Sequence, residues 1–235
     1  MRVIFIRHGH PDYSNDCLTE LGHKQAEAAA HRLADETIHH IYSSPLGRAV
    51  ETAAHIADAR GMEIEYCDFM REFGGAYIDD NGEVKEITPW AMTEPMVAAG
   101  KSVTRENWAD QAPFYENKIV SRTMRIGNEF DRLIAGFGYE REGNFYRVRE
   151  NNNDNIVIAS HAGSSCALLS YIFNLPLPFV YAAIRPGYTS ITVVKFFGEE
   201  GKIISPRFEI MTDARHIENI DANTLGNETN QMYKN

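Results

Sequence analysis

The sequence predicts an α/β fold, a three-layer sandwich with a mixed, mostly parallel sheet and an inserted cap region. Short apolar runs alternate with longer helix-forming segments in the first 70 residues, in the order β-α-β-α-β. Two further apolar runs, residues 155–160 and 188–197, predict later strands of the same sheet. Strands that are separated by helices pair in parallel, so the sheet is expected to lie between helices.

Local patterns predict the individual elements. The run "RVIFI" predicts the first strand, and Thr19 is expected to cap the helix that follows it. The run "IHHIYSS" predicts a second strand, after which Ser44 and Pro45 are expected to be the N-cap and first-turn residues of a helix. Gly61 ends that helix, and "MEIEYC" predicts a third strand. The segment "AGSSCALLSYIF" predicts a helix after the strand "NIVIAS".

The middle of the chain is less regular. No hydrophobic period persists from Phe69 to about Glu116, and an insertion of that length is often a substrate-selecting cap. A helix is expected around Phe130, followed by a polar surface excursion at residues 140–155. We therefore expect a single domain over residues 1–235 with a cap insertion at about 73–116. The tail after Ile220 is expected to fray.

Composition restricts the class of protein. The formal net charge is −10, which disfavours binding to nucleic acid or to an anionic membrane through the overall field. The three cysteines are scattered and form no C-x-x-C pair, so neither a disulfide framework nor a zinc–cysteine site is expected. No signal peptide is evident, and prolines interrupt the longest apolar region. We expect a cytoplasmic protein.

Basic residues follow the predicted strands at three places. Arg7 and His8 end the first strand, Arg48 lies just after the second, and His161 follows the strand "NIVIAS". The carboxyl ends of parallel strands share one edge of the sheet, where helix N-termini also direct free N–H groups at ligands. Guanidinium groups match the oxygens of phosphate two at a time. These side chains are therefore expected to surround a small, doubly charged oxyanion, for which phosphate is the natural candidate.

Four segments, in order along the chain, carry a family resemblance. They are R-H-G at residues 7–9, "LTELGHKQA", "SSPLGRAVETA" and "SHAGSSCALL". Together they resemble the motifs of the histidine phosphatase superfamily, the phosphoglycerate mutase-like group. The resemblance implies that His8 is a nucleophile that takes the phosphoryl group, that Arg7, Arg48 and His161 bind its oxygens, and that Glu72 in "MREFGG" is the proton donor.

The resemblance also implies an activity. It predicts metal-independent hydrolysis of phosphomonoesters through a phosphohistidine, with no cofactor. Gly9, His10 and Ala162 are included among the substrate-binding residues, although His10 is equally compatible with an ordinary loop position. His216 is expected near the edge of the sheet without a catalytic role.

Three alternatives compete with this interpretation. The spacing H-x-H-x-D at His8, His10 and Asp12 occurs in metallohydrolases, but the charge of Arg7 would oppose a cation there. A phosphoglycerate mutase would use the same residues, although this chain has Pro11 and Ser14 at positions where mutases carry serine and asparagine. A module that only binds phosphorylated ligands would not need the acid Glu72.

Overall fold

The computed structural model describes residues 1–78, 84–104, 106–111, 114–115 and 119–220, the side chains of residues 75–78 and 84–86 excepted. The strands in these ranges are β1 Arg2–Arg7, β2 Pro11–Asp12, β3 Cys17–Leu18, β4 His40–Ser43, β5 Glu65–Tyr66, β6 Gly75–Ile78, β7 Val84–Ile87, β8 Tyr139–Glu142, β9 Phe145–Val148, β10 Asn155–Ser160, β11 Ile191–Lys195, β12 Ile203–Ile204 and β13 Arg207–Asp213. The helices are α1 Glu20–Arg32, α2 Gly47–Asp58, α3 Pro89–Ala98, α4 Ile119–Ala135, α5 Ala162–Phe173 and α6 Leu177–Ala183.

The main sheet is mixed and mostly parallel, which confirms the predicted fold class. Its strand order is β13-β11-β1-β10-β4-β5. Strands β1, β10, β4 and β5 run parallel, and β11 pairs antiparallel with both β1 and β13. In the central pair, Arg2 is opposite Asn155 and Arg7 is opposite Ser160. The two strands therefore end at the same level of the sheet.

The sheet separates two hydrophobic layers. Along β1, the side chains of Ile4 and Ile6 belong to the layer that contains α1 and α2, whereas Val3 and Phe5 belong to the layer that contains α4 and α5. Successive side chains of a strand point to opposite faces, so a strand covered on both faces is apolar throughout. This arrangement confirms the predicted three-layer sandwich.

The start of α2 differs from the sequence prediction. The N-cap residue is Leu46, not Ser44, and Pro45 precedes the helix instead of occupying its first turn. The hydroxyl of Ser44 is instead 2.8 Å from Nε2 of His161. By contrast, Thr19 does cap α1, because its hydroxyl accepts a hydrogen bond of 3.1 Å from the Gly22 N–H.

The segment predicted as a polar surface excursion is a β-hairpin. Strands β8 and β9 pair antiparallel around Gly143, whose φ of +59° suits glycine at a tight turn. Tyr139, Tyr146 and Val148 are fully buried beneath the polar outer face. Charged residues on the outer face concealed the apolar period of these short strands, so the prediction was wrong.

The region expected to be irregular also contains regular structure. The backbone of β6 pairs antiparallel with that of β7, and α3 follows directly. Thr88 caps α3 by accepting a hydrogen bond of 3.2 Å from the Ala91 N–H. The predicted fraying of the tail after Ile220 concerns residues outside the described ranges. Within those ranges, every helix is too short or too polar to cross a bilayer.

The layer around Phe130 provides a test of this packing. Phe130 is fully buried, and its ring centroid is 6.3 Å from those of both Phe5 and Phe196. Phe130→Ala is expected to lower the free energy of unfolding by about 3–5 kcal/mol, because it removes buried contacts and leaves a cavity. Phe197→Ala is the control, since Phe197 is 64% exposed, and a change of under about 0.5 kcal/mol is expected. Equal losses in urea unfolding would contradict this assignment of the core.

Candidate active site

The candidate site lies where three neighbouring parallel strands end. His8 follows β1, Ser44 follows β4 and His161 follows β10. The His8 N–H donates a 2.9 Å hydrogen bond to the Ser160 carbonyl, and the Ser44 N–H donates a 2.8 Å hydrogen bond to the Ala159 carbonyl. These bonds extend the sheet ladder by one residue beyond each strand. The backbone therefore brings the three side chains to one edge of the sheet, which the sequence predicts for His8 and His161 but not for Ser44.

His8 is fully buried and held in one tautomer. Its Nδ1 is 2.7 Å from the carbonyl oxygen of Gly9, and a carbonyl can only accept, so Nδ1 carries the proton. Nε2 then has the free lone pair. Among the described residues, this buried Nε2 has no hydrogen-bond partner. The imidazole is thus oriented with its nucleophilic nitrogen available to a ligand.

The surroundings of His8 keep its ring neutral. Burial holds the pKa of the imidazole well below its ordinary value, and the positive charge of Arg7 and the neighbouring ring of His161 act in the same direction. The hydrogen bond to Gly9 opposes these effects in part. A neutral imidazole is the nucleophilic form, so the pocket maintains reactivity at neutral and mildly acidic pH.

His161 stands beside His8, with 5.1 Å between the ring centroids. Burial holds the pKa of His161 well below its ordinary value, with further contributions from Arg48 and Arg7. Its Nε2 lies 2.8 Å from the hydroxyl of Ser44, which sequence reasoning had assigned to a helix cap. The contact fixes the ring orientation. The pair Ser43-Ser44 before Pro45 is recognisable in the sequence. Its interpretation as a helix cap left no reason to expect that Ser44 contacts His161.

Arg7 is buried and held by a loop from the far end of the chain. Its Nη1 donates a 2.8 Å hydrogen bond to the carbonyl of Pro186. Its guanidinium carbon lies 4.1 Å from the ring centroid of Tyr188, a cation–π distance. Sequence reasoning found neither partner, because residues 186–188 carry no motif of their own.

Arg48 occupies the first turn of α2, where its charge opposes the helix dipole. Its Nη1 forms an ion pair with Asp16, whose other oxygen accepts a 2.8 Å hydrogen bond from the Gly47 N–H. The Nε atom of Arg48 is buried without an acceptor among the described residues. A Cβ on Gly47 would lie 2.0 Å from the Asp16 carbonyl oxygen, so glycine is required for this approach. The role of Asp16 was missed in the sequence.

Glu72 lies at the mouth of the site. Its Oε1 accepts hydrogen bonds from the N–H groups of Phe73, at 2.7 Å, and of Gly163, at 3.1 Å. Surrounding protein atoms raise the pKa of the carboxyl, although the backbone N–H groups of Phe73 and Ser164 and the charges of Arg7 and Arg48 oppose the rise. The residue remains exposed to solvent, which moderates the effect. A Cβ on Gly163 would lie 2.7 Å from this oxygen, so only glycine permits the contact.

The polar atoms of the H-x-H-x-D sequence do not converge on one point. Nδ1 of His8 meets the Gly9 carbonyl, Nδ1 of His10 lies 3.0 Å from the Thr19 hydroxyl, and Asp12 accepts a 2.8 Å hydrogen bond from the Asn15 side chain. A different set is closer together. One donor atom each from His8, Glu72 and His161 lie within 4.8 Å of one another. These atoms are potential metal ligands, but the adjacent guanidinium charges oppose a cation.

The other three residues that the sequence analysis includes among the substrate-binding residues are Gly9, His10 and Ala162, and each makes its own contacts. The Gly9 N–H donates a 3.0 Å hydrogen bond to the Thr52 hydroxyl, so it supports the loop instead of pointing at a ligand. The His10 N–H donates a 2.8 Å hydrogen bond to the Gln25 side chain, while its ring lies edge-on to Tyr188. Ala162 is the buried first residue of α5, a turn whose N–H groups have no acceptor within the helix.

The assembled groups suit phosphoryl chemistry. A neutral imidazole is flanked by two fixed guanidinium charges, a second neutral imidazole and a carboxyl group of raised pKa. Phosphoryl transfer places negative charge on three equatorial oxygens, which fixed cations stabilise. The arrangement can bind a phosphate group, attack it and protonate a leaving oxygen.

Comparison with known proteins agrees with this chemistry. A model of the histidine phosphatase superfamily (branch 1) matches residues 3–108. A putative phosphoserine phosphatase 2 of Hydrogenobacter thermophilus is 24% identical over 212 residues, which cover 86% of this chain and 93% of that protein. A probable phosphoglycerate mutase of Yersinia pestis is 34% identical over 98 residues, which cover 38% of this chain and 45% of the mutase. The chain thus aligns with less than half of the mutase's length.

Solved structures share the fold. A phosphoserine phosphatase of Entamoeba histolytica, in complex with phosphoserine, superposes with a TM-score of 0.61 at 20% identity, covering 92% of this chain and 98% of that one. A mycobacterial glucosyl-3-phosphoglycerate phosphatase, in complex with inorganic phosphate, superposes with a TM-score of 0.60 at 23% identity, covering 92% and 98%. At these identities the likeness concerns the fold alone. The chain is thus similar to the histidine phosphatase superfamily in sequence over residues 3–108, and it shares the fold of these phosphatases.

Proposed function

We propose that the protein is a metal-independent phosphatase that hydrolyses small phosphomonoesters through a phosphohistidine formed on His8. The buried, unprotonated Nε2 of His8 carries this proposal, because its tautomer is fixed by the Gly9 carbonyl and its environment keeps the ring neutral. The similarity to a phosphoserine phosphatase over most of the chain supports the same proposal.

In the first step, Arg7 and Arg48 bind the equatorial oxygens of the phosphoryl group. Nε2 of His8 attacks phosphorus, and the bond from phosphorus to the ester oxygen breaks. The protonated form of Glu72, which the raised pKa of its carboxyl favours, gives its proton to the leaving alkoxide. The imidazole becomes cationic as the P–N bond forms, and the Gly9 carbonyl that accepts the Nδ1 proton stabilises that charge.

In the second step, water attacks the phosphohistidine. Glu72, now a carboxylate, accepts a proton from the water while the P–N bond breaks and inorganic phosphate leaves. Glu72 is placed for both steps because the N–H groups of Phe73 and Gly163 hold its Oε1. His161, fixed by Ser44, lies beside the transferred group and donates a hydrogen bond to it through Nδ1.

Substrate selection is proposed to lie in the cap at about 73–116, within a single domain. The start of α3 lies near Glu72, because both approach Gly163. A Cβ on Gly163 would lie 3.3 Å from Pro89 Cγ and 2.7 Å from Glu72 Oε1. Trp90 of the same helix packs against Tyr181 at a centroid distance of 5.5 Å. The scattered free cysteines support a reducing compartment, the cytoplasm.

A mutase is the second candidate, and the stretch that is 34% identical to a probable phosphoglycerate mutase favours it. The two activities differ in the group that accepts the phosphoryl from His8. A phosphatase must admit water to the phosphohistidine, whereas a mutase must exclude it until the substrate has reoriented. A third candidate, a phosphate-binding module, would bind phosphate without forming the phosphohistidine.

The first experiment is turnover of p-nitrophenyl phosphate in excess chelator. The wild type is expected to release phosphate at an undiminished rate, and His8→Ala to lose at least about 10³-fold in kcat because no nucleophile remains. His39→Ala, at the opposite end of the sheet, is the matched control and should keep full activity. Loss of turnover on chelation, with recovery on adding a divalent metal, would refute the proposal. Transfer of phosphate between phosphoglycerates without release would identify the mutase.

The role of Glu72 is tested by varying the leaving group. An alkyl phosphate needs a proton on its leaving oxygen, whereas p-nitrophenolate leaves without one. We expect Glu72→Gln to reduce phosphoenzyme formation about 10²-fold or more for an alkyl phosphate, and much less for the nitrophenyl ester. With alkyl substrates, wild-type kcat/KM should stay level at acidic pH, since His8 is neutral there, and fall as Glu72 deprotonates.

A reduction of the same size for both esters in single-turnover measurements would exclude Glu72 as the acid. Glu65→Gln is the control for that experiment, because Glu65 is an exposed carboxylate on β5.

Asp16 is expected to position Arg48. Asp16→Ala should raise the inhibition constant of inorganic phosphate about tenfold, because a free arginine must lose rotamer entropy of up to about 2 kcal/mol on binding. Asp16→Asn retains hydrogen-bond acceptors for Arg48 and Gly47 and should change the constant less than about threefold. Asp35→Ala, at an exposed position, is the control. Tighter phosphate binding by Asp16→Ala would show that Asp16 acts mainly by repelling anions.

A further inference from the structure

Thr189 has a backbone conformation that β-branched residues rarely adopt. Its φ is +52°, in the left-handed region, and its side chain is completely buried. Such a residue persists only where surrounding contacts hold it, and such strain clusters at functional sites. Here the contacts are a 3.4 Å hydrogen bond from the Thr189 N–H to the His8 carbonyl and a 3.1 Å contact from its hydroxyl to Nε2 of His216. The strained residue therefore adjoins the nucleophile.

The residue before Thr189, Tyr188, has its ring beside Arg7 and His8. The ring of Tyr188 lies 4.1 Å from the guanidinium carbon of Arg7, and its centroid is 5.8 Å from the ring of His8 and 5.3 Å from that of His10. The side chains of Arg7, His8 and His10 thus all lie next to one aromatic ring. The ring belongs to a segment, residues 185–190, that none of the recognised motifs includes.

We propose that Tyr188 is a positioning residue for Arg7, and that Thr189, locked by His216, is the strained support that presents the Tyr188 ring. The proposal rests on the proposed function, since it assumes that Arg7 binds the phosphoryl group. It also gives His216 a place in the site through Thr189, where the sequence assigned it only to the sheet edge.

The geometry explains why an aromatic ring suits this position. A guanidinium presents its donors along its edges, and its flat face is weakly hydrated. Tyr188 covers that face, while the Pro186 carbonyl takes one donor of Nη1. The ring therefore fixes the plane of Arg7 without consuming the donors that phosphate oxygens require. An acidic residue at this position would instead neutralise the charge.

The Tyr188 ring is tested by Tyr188→Leu, with Tyr188→Phe as the matched variant. Leucine retains apolar bulk but removes the cation–π contact, so kcat/KM is expected to fall about tenfold. The inhibition constant of orthovanadate should rise by a similar factor. Phenylalanine keeps the ring and should stay within about twofold of the wild type in both measurements. A loss of kcat/KM and of vanadate affinity in Tyr188→Leu, without a change in its thermal unfolding, is a result that a merely structural role would not produce.

The support is tested by Thr189→Val, with Thr189→Ser as the matched variant. Valine keeps the branched shape, and hence the strain, but cannot bind His216, so kcat/KM is expected to fall about fivefold. Serine keeps the hydroxyl and should be close to the wild type. In the Tyr188→Leu background, Thr189→Val should lower kcat/KM by less than about a further twofold. Both changes remove the same effect, which is the positioning of Arg7 by the Tyr188 ring.

Several outcomes would overturn the proposal. They are wild-type kinetics in Tyr188→Leu, equal losses in Tyr188→Leu and Tyr188→Phe, and full additivity of the double variant. A calorimetric measurement of inorganic phosphate binding distinguishes a failure of the Tyr188 proposal from a failure of the proposed function. A wild type that binds phosphate but hydrolyses no ester would refute the phosphatase, whereas the Tyr188 variants would still test the positioning of Arg7 through phosphate affinity. Thermal unfolding of each variant identifies any that does not fold.

Discussion

The site depends on the cost of holding two buried imidazoles next to two guanidinium groups. Both rings must remain neutral, because protonating either would place a third positive charge in a poorly hydrated pocket. Several neighbouring features follow from this constraint. The carbonyl of Gly9 fixes the tautomer of His8, and Ser44 orients His161 without adding charge. A bound phosphate dianion would offset the concentration of positive charge that the pocket maintains in its absence.

The two arginines are stabilised in different ways. Arg48 is paired with the carboxylate of Asp16, which reduces its charge at one nitrogen. Arg7 is held by a carbonyl and by the face of an aromatic ring. Arg7 is also the residue directly before His8 in sequence. Different kinds of contact therefore hold the two guanidinium groups that lower the pKa of His8.

Sequence patterns predicted the layered fold and the meeting of Arg7, His8, Arg48 and His161, because both follow from parallel strands that end at one edge. They did not predict the hairpin at residues 139–148, where charged outer residues hide a two-residue period. They also missed Asp16 and Tyr188, and took Ser44 for a helix cap. Those contacts are made across long sequence separations by side chains outside any local pattern. Periodicity records local geometry, and it contains no information about which loops meet.

The pairing of β1 with β10 determines when, during synthesis and folding, the surroundings of His8 can form. Arg7 pairs with Ser160, and the His8 N–H continues the ladder, so His8 acquires these surroundings only when a strand from the second half of the chain has docked. The ribosome releases the segment that contains His8 well before the segment that contains β10. The group of buried side chains around His8 can therefore assemble only after the chain has been synthesised beyond Ser160.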